Sequence, residues 1–254
     1  MCLLALFFRA VDDAPVVVGA NRDEYYARGG EPPRLLPGTP QVVAGLDPVA
    51  GGTWLGVNEF GVLVAVTNRR KSQVPALPRS RGLLVRELLA SHSAASAAER
   101  ATRELDGDRY AGCNLLCVDA ERAIVIQAGD WLRVRPLPSG LHVLANGDVN
   151  DEGDRRVGHS LWALGKQRYA TADNCLDALK RLCSNSGPPD APMCIRGKEG
   201  GTVSSTLIAL RWPPARGTLL HAQGPPDQTP YVDTSDLLGQ LGPVADGAVR
   251  PEGK

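Results

Sequence analysis

Met1-Cys2-Leu3-Leu4-Ala5-Leu6-Phe7-Phe8-Arg9 and, a little further on, Gly19-Ala20-Asn21-Arg22-Asp23-Glu24 are the two stretches on which the fold turns. The first is apolar from its second residue. It is too short for a membrane helix, which needs about 20 apolar residues. It also lacks the basic start and small-residue cleavage site of a secretory signal. It reads as a buried strand over 3–8, joined through Asp12-Asp13-Ala14-Pro15 to a second strand over 16–19. The polar cluster 21–24 then follows that strand, and a hairpin puts it at the same sheet end as Cys2.

Cys2 is the residue on which chemistry can be built. A small side chain at position 2 permits removal of Met1, and the new α-amine has an ordinary pKa near 7.7–8.0. That amine can take the thiol proton without a histidine. Asp23 can accept a hydrogen bond from the new ammonium, and Arg22 can favour the thiolate, because a nearby cation lowers a thiol pKa. Set against this, free cysteine is among the most buried residue types, and a polar cluster after a strand is commonly a solvated turn.

Outward from there, strands are expected over 42–45, 53–57, 61–67, 114–118, 123–127, 131–134, 141–144, 206–210 and 219–222. Helices are expected over 81–91, 94–105, 154–169 and 172–183, with Ser93 or Ser96 as a cap for the second. Gly/Pro-rich loops are expected over 29–40 and 185–201. Strand runs alternate with helix pairs rather than with single helices, which disfavours a doubly wound sheet and favours antiparallel sheets with helices packed on them. With no repeat period and no linker, residues 1–241 read as one domain and 242–254 as a frayed tail.

The 28 Lys+Arg residues balance 28 Asp+Glu, so nothing points to nucleic acid or to an acidic tail. The six cysteines form no Cys-x-x-Cys pair and, without a secretion signal, read as free thiols of a cytoplasmic protein. His92, His142, His159 and His221 have no metal-ligand spacing, and no nucleotide-binding loop is present, so no metal or cofactor is expected. Asn68 ends a strand and offers a neutral donor and acceptor. Asn146, in Asn146-Gly147-Asp148, is either a turn residue or an amide placed to stabilise an oxyanion.

Taken in order, Met1-Cys2-Leu3-Leu4, Asn21-Arg22-Asp23-Glu24, Gly51-Gly52-Thr53-Trp54-Leu55-Gly56, Thr67-Asn68, Leu144-Ala145-Asn146 and Gly201-Thr202-Val203-Ser204-Ser205-Thr206 resemble the NRDE family of transport and Golgi organisation protein 2 homologues. The resemblance implies an α+β fold, the four-layer αββα sandwich of N-terminal nucleophile hydrolases. It also implies kinship with acylases that cleave linear non-peptide amides of small molecules. In that frame Cys2 is nucleophile and base, Asp23 orients it, and Asn146 is the oxyanion donor. Asn68, Asn21, Arg22 and Trp54 are the substrate contacts. Ala20 and Val203 stand where those acylases carry arginine, which leaves fewer positive charges near the thiol. The family's link to haem trafficking implies an alternative of a different class. In it the chain carries haem without hydrolysis, with Cys2 or one of the four histidines as the axial ligand.

Overall fold

The computed structural model describes residues 2–242 apart from 186 and 189. Met1 and 243–254 lie outside it, so the expected tail falls almost wholly outside the described residues. The chain runs β1 (Cys2–Val11), β2 (Ala14–Tyr25), β3 (Glu31–Leu36), β4 (Val42–Leu46), β5 (Leu55–Asn58), β6 (Leu63–Asn68), α1 (Arg81–Leu88) and α2 (Ala94–Asp106). It continues through β7 (Cys113–Val118), β8 (Ala123–Ala128), β9 (Leu132–Leu137), β10 (Gly140–Leu144), α3 (Arg155–Gly165) and α4 (Ala172–Cys183). The last elements are β11 (Gly200–Leu210), β12 (Thr218–Ala222), the short β13 (Val232–Asp233) and α5 (Asp236–Gly239).

Two antiparallel sheets result. One has the order β10-β1-β2-β11-β12-β13, the other β3-β4-β5-β6-β7-β8-β9. Strand alternation sorts the side chains into three apolar layers. From β1, Leu3, Ala5 and Phe7 pack against α3 and α4 with Leu176, Leu179 and Leu182. Leu4, Leu6 and Phe8 face the second sheet and meet Leu63, Ala65, Leu116 and Val125. The far face of that sheet meets α1 and α2 through Leu84, Leu88, Ala97 and Ala101. This is a four-layer αββα sandwich, as the resemblance implied.

Helix starts follow local chemistry. Ser93 caps α2, with Ser96 completing a capping box, and Asp154 caps α3 by accepting from the Arg156 and Val157 N–H groups. Two expectations are corrected. The second strand does not stop at 19: β2 runs to Tyr25, so 21–24 is strand rather than turn. Its polar side chains are tolerated because β11, α4 and the 193 loop supply partners. The 29–40 loop contains β3, whose prolines Pro32 and Pro33 are accommodated because β3 is an edge strand.

Two contacts tie the flanks of β5 to the two ends of α1. A Cβ on Gly52 would overlap the Gly82 carbonyl carbon and the Leu83 nitrogen, so only glycine lets this loop lie on the start of α1. Asn58, fully buried, donates to Leu89 O and Ser91 O (2.8 Å each) and accepts from the Phe60 and Val62 N–H groups (3.0 Å each). Asn58→Ala orphans these groups and is expected to cost about 1–3 kcal/mol, read by denaturant unfolding.

Candidate active site

Cys2 is the first residue of β1 and stands at the end of the strand that opens on a cleft. Its backbone pairs with Arg22, and directly paired residues point to the same face. The Cys2 thiol therefore lies beside the Arg22 side chain, on the face that carries Leu4 and Leu6. Arg22 pairs in turn with Ser204 on β11. On the other side, Leu4 pairs with Leu144. β10 ends at Leu144, so Asn146 follows two residues later in the loop that leaves β10 at the Cys2 end of β1. A polar row thus crosses three neighbouring strands: Cys2, Arg22, Ser204.

A cleft of about 280 Å³ opens at this end, lined by Cys2, Arg22, Asp23, Trp54, Asn68 and Arg81 among others. Cys2 is half-buried, and the other five cysteines are buried and free. Burial pushes the Cys2 thiol above its ordinary 9.0, and the charge of Asp23 adds to this. A hydrogen bond from the Asp23 N–H and the charge of Arg22 act in the opposite sense. Arg22 is itself held rigidly. It donates to Gly29 O, and its guanidinium carbon lies 4.1 Å from the centre of the Trp54 ring, a cation–π contact.

Asp23 lies on the opposite face of β2, 5% exposed. Its carboxylate accepts from Thr202 Oγ1 at 2.6 Å and from Arg156 Nη1 at 3.1 Å. Burial raises its pKa above the ordinary 3.8, while Arg156 and Thr202 act to lower it. Arg156 and Thr202 are the site residues that reading the sequence missed. Arg156 sits two residues past the Asp154 cap, in the first turn of α3, where an arginine reads as surface.

The other expected site residues divide. Asn68 and Trp54 line the cleft, and the Asn68 side chain has no hydrogen-bond partner among the described residues. Asn21 does not line it. Fully buried, Asn21 donates to Cys183 O and Met193 O (3.0 Å each) and ties β2 to α4. Asn146 lies in the loop after β10, outside the residues that line the cleft. None of the four histidines lines it either. His142 contacts Pro138 O and Asn150, and His221 contacts Thr206 and Gln223.

Ser204 Oγ is buried with no hydrogen-bond partner among the described residues. A desolvated, unpaired hydroxyl costs free energy, so Ser204→Ala is expected to raise stability by about 1 kcal/mol, checked by chemical denaturation.

Residues 1–209 match the model of the transport and Golgi organisation 2 (TANGO2) family. The chain belongs to the TANGO2 family. The human transport and Golgi organization protein 2 homolog is 32% identical over 133 residues, 48% of this chain and 47% of that protein. The bovine homolog is 34% identical over 139 residues, 50% of this chain and 49% of that protein. The chain thus spans about half the length of the curated relatives it matches. Among solved structures, a Caenorhabditis elegans N-acylethanolamine-hydrolyzing acid amidase ortholog superposes with TM-score 0.60 at 15% identity, covering 82% of this chain and 92% of that one. Penicillin V acylase from Agrobacterium tumefaciens gives 0.57 at 13% identity, covering 93% and 88%. At such identities the likeness is one of fold. This TANGO2-family chain has the architecture of the N-terminal nucleophile hydrolases. Among its described residues, no helix is long and apolar enough to cross a membrane.

Proposed function

We propose that this TANGO2-family chain is a cysteine N-terminal nucleophile hydrolase that cleaves a linear, non-peptide amide of a small molecule. The observation that carries the reading is the placement of Cys2, half-buried in the cleft beside Arg22, at the end of β1 where the neighbouring β10 runs into the loop bearing Asn146. With Met1 removed, the α-amine of Cys2 takes the thiol proton. The sulfur pair adds to the amide carbon, and the carbonyl π pair moves to oxygen, where the Asn146 amide receives it. The C–N bond breaks and the ammonium protonates the leaving amine. Water then adds to the thioester and the thiol departs. Asp23, held by Thr202 and Arg156, orients the amine end. The names of two structural neighbours support the reaction class, because one is an amide-hydrolysing amidase ortholog and the other a penicillin V acylase.

The test is intact mass before and after incubation with p-nitrophenyl acetate, followed by turnover of small N-acyl amides. Loss of Met1 and one acetyl group on Cys2 are expected. Retention of Met1 in the purified protein would sink the amine-base step. No acetyl group on Cys2 would sink the nucleophile.

A further inference from the structure

We infer that Thr67, Arg69 and Asn114, none of which lines the cleft, form a clamp that holds Asn146 at the Cys2 end of β1 and are positioning residues for acyl transfer. The inference rests on the reading of Cys2 and Asn146 just proposed. Thr67, Asn114 and Gln127 stand side by side on β6, β7 and β8. They are 2%, 0% and 1% exposed, in an interior otherwise built from Leu63, Ala65, Leu116 and Val125. Polar groups buried there are costly unless bonded.

Their bonds converge on one short segment, the loop that follows β10 of the opposite sheet. Thr67 Oγ1 donates to Ala145 O at 2.6 Å. Asn114 Nδ2 donates to Ala145 O at 3.2 Å and Gly147 O at 3.1 Å. Arg69 Nη1 donates to Gly147 O at 2.8 Å and to Asn114 Oδ1 at 3.2 Å. Arg69 Nη2 reaches Asp148 Oδ1 at 2.6 Å, which also accepts from Gln127 Nε2 at 3.1 Å. The carbonyls on both sides of Asn146 are therefore pinned, while no hydrogen bond among the described residues engages the Asn146 side chain. If sheet stitching were the whole role, there would be no reason to fix both neighbours of one free amide. A misplacement of about 1 Å at a reacting centre costs on the order of 100-fold in rate.

The experiment compares two reactions of Cys2. Acetylation by p-nitrophenyl acetate forms a C–S bond, expels p-nitrophenolate and develops an oxyanion. Alkylation by iodoacetamide displaces iodide and develops none. The five buried cysteines leave Cys2 as the reactive thiol. Thr67→Val and Asn114→Ala are expected to slow acetylation by about 10- to 100-fold and to leave alkylation within about twofold. Thr67→Ser, which keeps the hydroxyl, restores acetylation. Asn114→Ala adds nothing further in an Asn146→Ala background. Should Asn114→Ala fail to fold, Arg69→Lys, which keeps a cation for Asp148 but loses the fork to Gly147 O, gives the same comparison. The clamp is overturned if both reactions slow together, or if Asn146→Ala slows acetylation and the clamp variants do not. Full additivity with Asn146→Ala also overturns it. If Asn146→Ala itself leaves acetylation unchanged, the oxyanion reading falls and the clamp falls with it.

Discussion

Cys2→Ala is expected to abolish the proposed acyl transfer, with a loss on the scale of a hydrolase nucleophile, about 10⁶-fold in turnover, and unprocessed Cys2 is expected to give a different pH profile from processed Cys2. The second half of this expectation is the sharper. Burial and the Asp23 charge place the thiol above 9.0. A thiol of that kind, with no base, reacts through its thiolate fraction, so its acetylation rate climbs about tenfold per pH unit from 7 to 9. With the amine of Cys2 free, the group that must be deprotonated is the amine, ordinary pKa near 7.7–8.0. The rate then levels off near pH 8. Acetylation rates of the processed protein and of a form carrying one extra residue ahead of Cys2 measure this directly. Identical, steadily climbing profiles would remove the amine from the mechanism and leave Cys2 an ordinary buried thiol.

Parts of this arrangement were legible in the sequence for local reasons. α2 and α4 begin where serine and threonine caps precede a helical apolar spacing. The helix-pair and strand-run order sufficed to set aside a doubly wound sheet. The end of β2 was not legible. Asn21 to Glu24 are polar, and local pattern ends a strand there. What keeps them in the strand are partners far along the chain, Cys183 and Met193 for Asn21 and Thr202 for Asp23. The same distance hid Arg156. Ala20 and Val203 read as missing charges beside the thiol, yet α3 brings a guanidinium to Asp23 from 133 residues away, and Arg22 points into the cleft from the strand itself. Hydrophobic period registers faces, not such pairings. Asn146 is an intermediate case. Asn-Gly reads as a turn, and only the pairing of β10 with β1 brings that turn to the Cys2 end of the sheet.

The pair formed by Asp23 and Arg156 makes the largest stability prediction. Their side chains are 3% and 12% exposed. Removing one partner of a buried pair leaves the other charge uncompensated and costs about 3–5 kcal/mol, so Arg156→Gln should be strongly destabilised at pH 7. The pH dependence identifies the cause. Asp23 already sits above its ordinary 3.8 through burial, with Arg156 the foremost group holding it down. Without Arg156 its folded pKa rises further while its unfolded value stays put. A carboxyl raised in the folded state stabilises below its unfolded pKa, and that contribution is lost as pH climbs through the folded value. From neutral pH downward, the variant therefore takes up a proton on folding sooner than the wild type does. Its deficit in thermal midpoint should shrink between pH 7 and pH 5, and Asp23→Asn in the Arg156→Gln background should remove that pH dependence. A deficit that stays constant over this range would mean that Arg156 acts through its bond to Met193 O and its packing, not through the charge on Asp23.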